Sequence, residues 1–137
     1  MNLQTFTSLD GRIPRKTFWL AVLVMVVISW ILQFIVFAIF GGSAMTAVDP
    51  NMTPEAQAAA MQQALSGMWL PLGVVVLLTL WPSICIYAKR WHDRNKSGWW
   101  SLIMFVPIIG GIWLLVELGF LRGTEGPNKY GPDPIAN

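Results

Sequence analysis

The chain has 137 residues, 55% of them hydrophobic and only 12% charged, about half the charged share of an ordinary soluble domain. A soluble fold this small leaves too much surface facing water to hide that much apolar area, so a bilayer is the better solvent. The formal net charge of +2 argues against a nucleic-acid partner, because the basic residues are interleaved with apolar stretches instead of lining a polar face. Cys85 is the one cysteine and His92 the one histidine, so no disulfide within the chain, no metal site and no cofactor is expected.

The first apolar stretch, residues 19–40, carries no charge. At 1.5 Å per residue it makes roughly 33 Å of helix, enough to cross the hydrocarbon core. It is too long for a signal-peptide core, and no small-x-small cleavage pattern follows it. The loop 41–67 contains "TPEAQAAAMQQALSG", where Thr53 can cap, Pro54 open and Gly67 close a short helix. The second stretch, 68–88, starts with Pro71 in a first helical turn and contains Pro82 deeper, which predicts a kink. The third, 99–121, is broken in its middle by Pro107, Gly110 and Gly111. It is read as one kinked span. The alternative is a re-entrant hairpin turning at "PIIGG", against which stand the shortness of each half and the poor tolerance of lipid-exposed turns at depth. The expected fold is therefore an all-α membrane protein, one polytopic domain over 1–137, with three transmembrane helices at about 19–40, 68–88 and 99–121.

Charge sets the expected orientation. Arg12, Arg15 and Lys16 precede the first span, and Lys89, Arg90, Arg94 and Lys96 follow the second, whereas the 41–67 loop has no Lys or Arg. By the positive-inside rule the amino terminus and the 89–98 loop are cytoplasmic and the 41–67 loop periplasmic. Three full spans then put the tail, with Arg122 and Lys129, in the periplasm. Trp19, Trp69, Trp91, Trp99 and Trp100 mark water boundaries, where an amphipathic ring is favoured.

Little here points to catalysis. His92 and Asp93 are adjacent, so on a helix they point about 100° apart and do not form a base–orienter pair with each other. Asp93 lies one turn from Lys89 and Arg90, and ion pairing accounts for it. Ser97 before Gly98 reads as a cap or turn. Glu117 is the one ionisable residue inside an apolar span; such acids are functional candidates by default, although it lies near enough to the end to reach interfacial water or Arg122. Gln33 is a further possible partner.

Three fragments, taken together, carry a resemblance: "GRIPRKTFW" at 11–19, "KRWHDRNKSGWW" at 89–100 and "GTEGPNKYGPDP" at 123–134. They resemble, in order and spacing, the bacterial inner-membrane family catalogued as domain of unknown function 805. The resemblance implies family positions at Gly11, Arg12, Arg15, Phe18 and Trp19, then at Arg90, His92, Asp93, Ser97, Gly98, Trp99 and Trp100. In the tail it implies Gly123, Gly126, Asn128, Tyr130, Gly131, Pro132, Asp133 and Pro134. Pro14 stands where the family usually has Ser, and Trp91 where it usually has Leu. Glu117 belongs to none of the motifs. The family's activity is unknown, so the resemblance implies a place and a pattern but no reaction. Because a charge anchor would not need this order of Arg, His, Asp, Ser and Gly, specific contacts are expected, among them Arg12 or Arg15 with Asp93. The functional expectation is a non-enzymatic inner-membrane protein binding anionic lipid headgroups or a membrane protein partner, including a second copy of itself. The alternative is an oligomeric ion or small-solute pathway using Glu117 or His92.

Overall fold

The computed structural model describes residues 2–46, 49 and 51–135. They form five α-helices: α1 (Gln4–Thr7), α2 (Arg15–Thr46), α3 (Pro54–Ser66), α4 (Trp69–Asp93) and α5 (Ile109–Leu114). A 3₁₀-helix, Gly98–Phe105, follows α4, and α5 runs on into a π-helical turn, Leu115–Phe120. Among the described residues there is no strand, only an isolated bridge between Asn128 and Gly131. The residues group into two compact units, Met1–Met25 with Leu80–Asn137, and Val26–Thr79.

In the Val26–Thr79 unit the surface of α2 and of the first half of α4 is largely hydrocarbon, whereas α3 is polar. Trp30, Phe34, Leu70 and Leu77 are all strongly exposed, a distribution that water would penalise and lipid favours. α3 begins as its sequence predicts: Thr53 Oγ1 accepts from Ala56 N at 3.3 Å, and Pro54 stands at the first helical position. α2 and α4 are each long and apolar enough to cross a membrane, which fits an all-α membrane protein. α4 continues through Pro82.

The other unit holds a true core. Ile13, Phe18 and Ala21 meet Ile86 and Trp91 of α4 and Leu118 of the π turn. Phe18 and Tyr87 pack edge to face at 5.8 Å. The Trp91 indole N–H is buried without a hydrogen-bond partner, which costs free energy.

The third apolar stretch departs from the single kinked span expected of it and takes the form of the alternative, a hairpin. Gly98–Phe105 and Ile109–Phe120 are two arms of a hairpin, packed on each other and joined at Val106–Ile108. At about 2.0 Å per 3₁₀ residue and 1.5 Å per α residue the arms are about 16 and 18 Å long, roughly half of a ~30 Å hydrocarbon core. The objection to a turn at depth is answered by local bonding. Val106 N donates to Ile103 O at 2.9 Å, Ile109 N to Pro107 O at 2.6 Å and Gly110 N to Val106 O at 2.9 Å, while Pro107 has no N–H to satisfy. The Ile109–Pro107 bond closes a three-residue turn around Ile108, whose φ is +64° and ψ −60°, a strained conformation for a β-branched residue.

The arms cross where Gly110 faces the backbone of Ile103: a Cβ on Gly110 would run into the Ile103 carbonyl, whereas one on Gly111 would meet nothing within 4 Å. Gly110→Ala is accordingly expected to destabilise the protein by about 1–3 kcal/mol through overpacking, and Gly111→Ala to leave it near wild type. Thermal unfolding of the two variants in the same detergent checks this, and equal melting temperatures would argue against the crossing.

Candidate functional site

The polar residues of the three motifs meet at the open end of the hairpin. A helix leaves its last four carbonyls without intrahelical donors, and here those of residues 118–121 are each taken by a side chain. Arg90 Nε donates to Leu118 O at 2.7 Å and its Nη2 to Leu121 O at 2.6 Å. Trp19 Nε1 donates to Gly119 O at 3.1 Å, and Arg15 Nη1 to Phe120 O at 2.9 Å. Cations at a helix C-terminus are also favoured by its dipole. Arg12 continues the series into the tail, donating from Nη1 to Gly126 O at 2.8 Å and to Gly131 O at 3.2 Å, and from Nη2 to Thr124 O.

Asp93 sits at the centre. Its carboxylate accepts from Arg12 Nε at 3.2 Å and is ion-paired to Arg90, and its backbone carbonyl accepts from Thr124 N at 2.7 Å. The three side chains are almost wholly sequestered, Arg12 at 1% and Arg90 at 0% exposure. Gly123 packs directly on the Asp93 carboxylate, where a Cβ would collide with it. Of the two arginines expected as partners of Asp93, Arg12 makes the pair and Arg15 binds a carbonyl instead.

His92 stacks on Tyr130, ring centroids 3.8 Å apart and planes within 6°, and its Nδ1 lies 3.3 Å from Gly11 O. Asn128 Nδ2 donates to the His92 carbonyl at 2.9 Å. Asp133 accepts from the backbone N–H groups of Gly126 and Ile135, each at 3.0 Å, and those two bonds hold its carboxyl below the usual range. The tail is thus an ordered run of turns, with Asn128 and Gly131 exchanging backbone bonds.

Glu117 has partners that its sequence position did not suggest. It pairs with Arg94, Nε to Oε2 at 3.0 Å, and with Lys96, while Arg122 pairs with Glu125 at 2.8 Å. Lys96 also lies over the rings of Trp91 and Trp100, 5.6 and 5.5 Å from their centroids, a favourable placement for an ammonium. Arg94 and Lys96 carried only a topological meaning in the sequence; the folding back of the second arm is what brings Glu117 to them. Among the remaining motif residues, Ser97 caps the 3₁₀-helix, its hydroxyl accepting from Trp99 N at 3.4 Å. Gly98 packs against Ala88. Trp99 and Trp100 are exposed and take no part in the cluster around Asp93.

Thr124, Gly126 and Gly131 bond to Arg12 and Asp93 directly, so the tail packs against the first two motifs, an arrangement that the periplasmic tail expected from three full spans did not anticipate. Among the described residues no three His, Cys, Asp or Glu side chains gather to hold a metal ion.

Comparison with known proteins covers nearly the whole chain. The family model described as "Protein of unknown function (DUF805)" matches residues 6–132. "Inner membrane protein YhaI" of Escherichia coli (strain K12) is 30% identical over 135 residues, 96% of this chain and 90% of that protein. "Inner membrane protein YhaH" of the same strain is 28% identical over 133 residues, 96% of this chain and 91% of that protein. "Uncharacterized protein YiiR", also of that strain, is 35% identical over 78 residues, 39% of this chain and 53% of that protein. No solved structure matches significantly.

Asp93→Asn leaves two buried guanidiniums without their counter-charge, and breaking a buried pair in this way costs roughly 3–5 kcal/mol. Denaturation in detergent is expected to show that loss. The contacts also set a topological expectation: in a Cys85→Ser background, Asp10→Cys and Lys129→Cys should react with a membrane-impermeant thiol reagent from the same side. Labelling from opposite sides would refute the tail's position.

Proposed function

Since the chain belongs to the family described as "Protein of unknown function (DUF805)", we propose that it is a non-enzymatic protein of the bacterial inner membrane that holds anionic lipid headgroups against a cytoplasmic face. Its relatives of nearly equal length are named inner membrane proteins. Lys and Arg crowd residues 12–16 and 89–96 and are absent from 41–67, which supports the cytoplasm as the side of the motif cluster. The contacts of the tail with Arg12 and Asp93 support the same side for it.

The observation that carries the reading is a division of labour among the cations. Arg12 and Arg90 are buried and saturated by carbonyls and Asp93; they hold the fold and have nothing left for a ligand. Lys16, Arg122 and Lys129 are exposed, and so are Trp19, Trp99 and Trp100, rings suited to the headgroup level. A basic residue near an anionic membrane surface contributes about 1 kcal/mol, so a rim of this kind enriches anionic lipid without a closed pocket. The groups named for an ion pathway are engaged otherwise, Glu117 by two cations and His92 by Gly11 and Tyr130.

Native mass spectrometry from mixed micelles of phosphatidylglycerol and phosphatidylcholine tests the proposal. The wild-type protein is expected to retain the anionic lipid preferentially. Lys16→Gln combined with Lys129→Gln should remove about 2 kcal/mol of that preference; equal retention of the two lipids by the wild type would sink the idea.

A further inference from the structure

Between α4 and the first arm of the hairpin lies a half-enclosed cavity of about 510 Å³, within the usual range for small-molecule sites. One wall is a single face of α4: Leu80, Ile84, Tyr87 and Ala88 recur at helical spacing up to His92. Leu102 and Met104 of the first arm face it, and Leu114 of the second arm contributes from beyond. From Leu80 to His92 the wall rises about 18 Å, close to the depth of one leaflet, about half of a ~30 Å core.

The two ends differ in chemistry. At the Leu80 and Met104 end the lining is mostly hydrocarbon and thioether, with the small hydroxyl side chain of Ser83 among them. At the other end stand His92, Ser97 and Gly98, the last two at the N-terminal end of the eight-residue 3₁₀-helix, where the backbone dipole favours a phosphate or carbonyl oxygen. An apolar slot one leaflet deep, closed at the water boundary by polar groups and a positive helix end, matches an amphiphile in both length and polarity. Its separation into arm and helix follows from Gly98 touching Ala88, which pins the polar end together while the walls part below.

We propose that this slot holds one acyl chain of a glycerophospholipid drawn from the leaflet on the motif side, with the lipid's glycerol and ester region at the Ser97 and Gly98 end. The proposal is separate from headgroup charge, since Lys16 and Lys129 do not line the slot. It predicts that a chain, and not only a headgroup, is held in place.

The test uses the intact protein in phosphatidylethanolamine–phosphatidylglycerol vesicles containing a phospholipid with a diazirine near the end of one acyl chain. After irradiation, peptides carrying Leu80–Ile84 and Met104–Leu114 are compared with the lipid-facing 26–40 stretch of α2. The expected label ratio is about tenfold in favour of the slot, the ratio that 1.4 kcal/mol of site preference produces. Leu102→Trp, which fills the slot from an exposed position, should bring the ratio to about one. The Lys16→Gln, Lys129→Gln double variant should leave it high, even if that variant loses its preference for anionic lipid. Uniform labelling of the wild-type protein overturns the proposal without reference to any variant. So does a ratio unchanged by both Leu102→Trp and Ile84→Trp, or one abolished by the double lysine variant.

Discussion

Everything in the motif-bearing unit depends on four carbonyl groups at the end of the second arm. A helix that stops at a membrane boundary must find donors for its last turn, and water there is scarce and shared with lipid headgroups. Arg90, Trp19 and Arg15 supply them to residues 118–121. Guanidinium suits the task because one planar group reaches several acceptors and remains charged in every environment the site provides. A lysine at position 90 would not span Leu118 O, Leu121 O and Asp93 together.

Asp93 makes that arrangement affordable. Two buried guanidiniums side by side would repel each other and pay heavily for lost hydration. One carboxylate between them, with carbonyl dipoles on the remaining N–H groups, offsets both terms. The geometry also explains why Gly123 stands beside Asp93, since a side chain there would displace the carboxylate from between its partners. The second ionic cluster, Glu117 with Arg94 and Lys96, is more open to solvent and ties the loop after α4 to the same arm. The polar side chains of the family motifs thus act mainly on the protein's own backbone.

The hairpin shows how a bilayer tolerates irregular backbone. The tip dispenses with one donor by using Pro107 and pairs the N–H groups of Val106, Ile109 and Gly110 through i→i+3, i→i+2 and i→i+4 bonds. The strain at Ile108 is offset by the crossing at Gly110 and by the clasp at the open end. An apolar side chain at the tip, 81% exposed, is no liability where the solvent is hydrocarbon.

The solvent was already legible in the chain, because it depends on local composition: an uncharged run of 22 residues. The helix in the 41–67 loop was legible too, since Thr53, Pro54 and Gly67 act locally at its ends. The motifs were visible as an improbable order of residue types, but not their targets, which are backbone carbonyls with no sequence signature. Whether "PIIGG" bends a span or reverses it could not be read from residues 99–121, because the length of each half and the cost of a buried turn argue against reversal until the tip's own hydrogen bonds are counted. The reversal is a tertiary decision: only when Arg12, Arg15, Trp19, Arg90 and Asp93 stand together is there a place where the returning arm can end. That choice placed the tail beside the first two motifs and gave Glu117 its partners, because it sets distances between residues that local spacing leaves open.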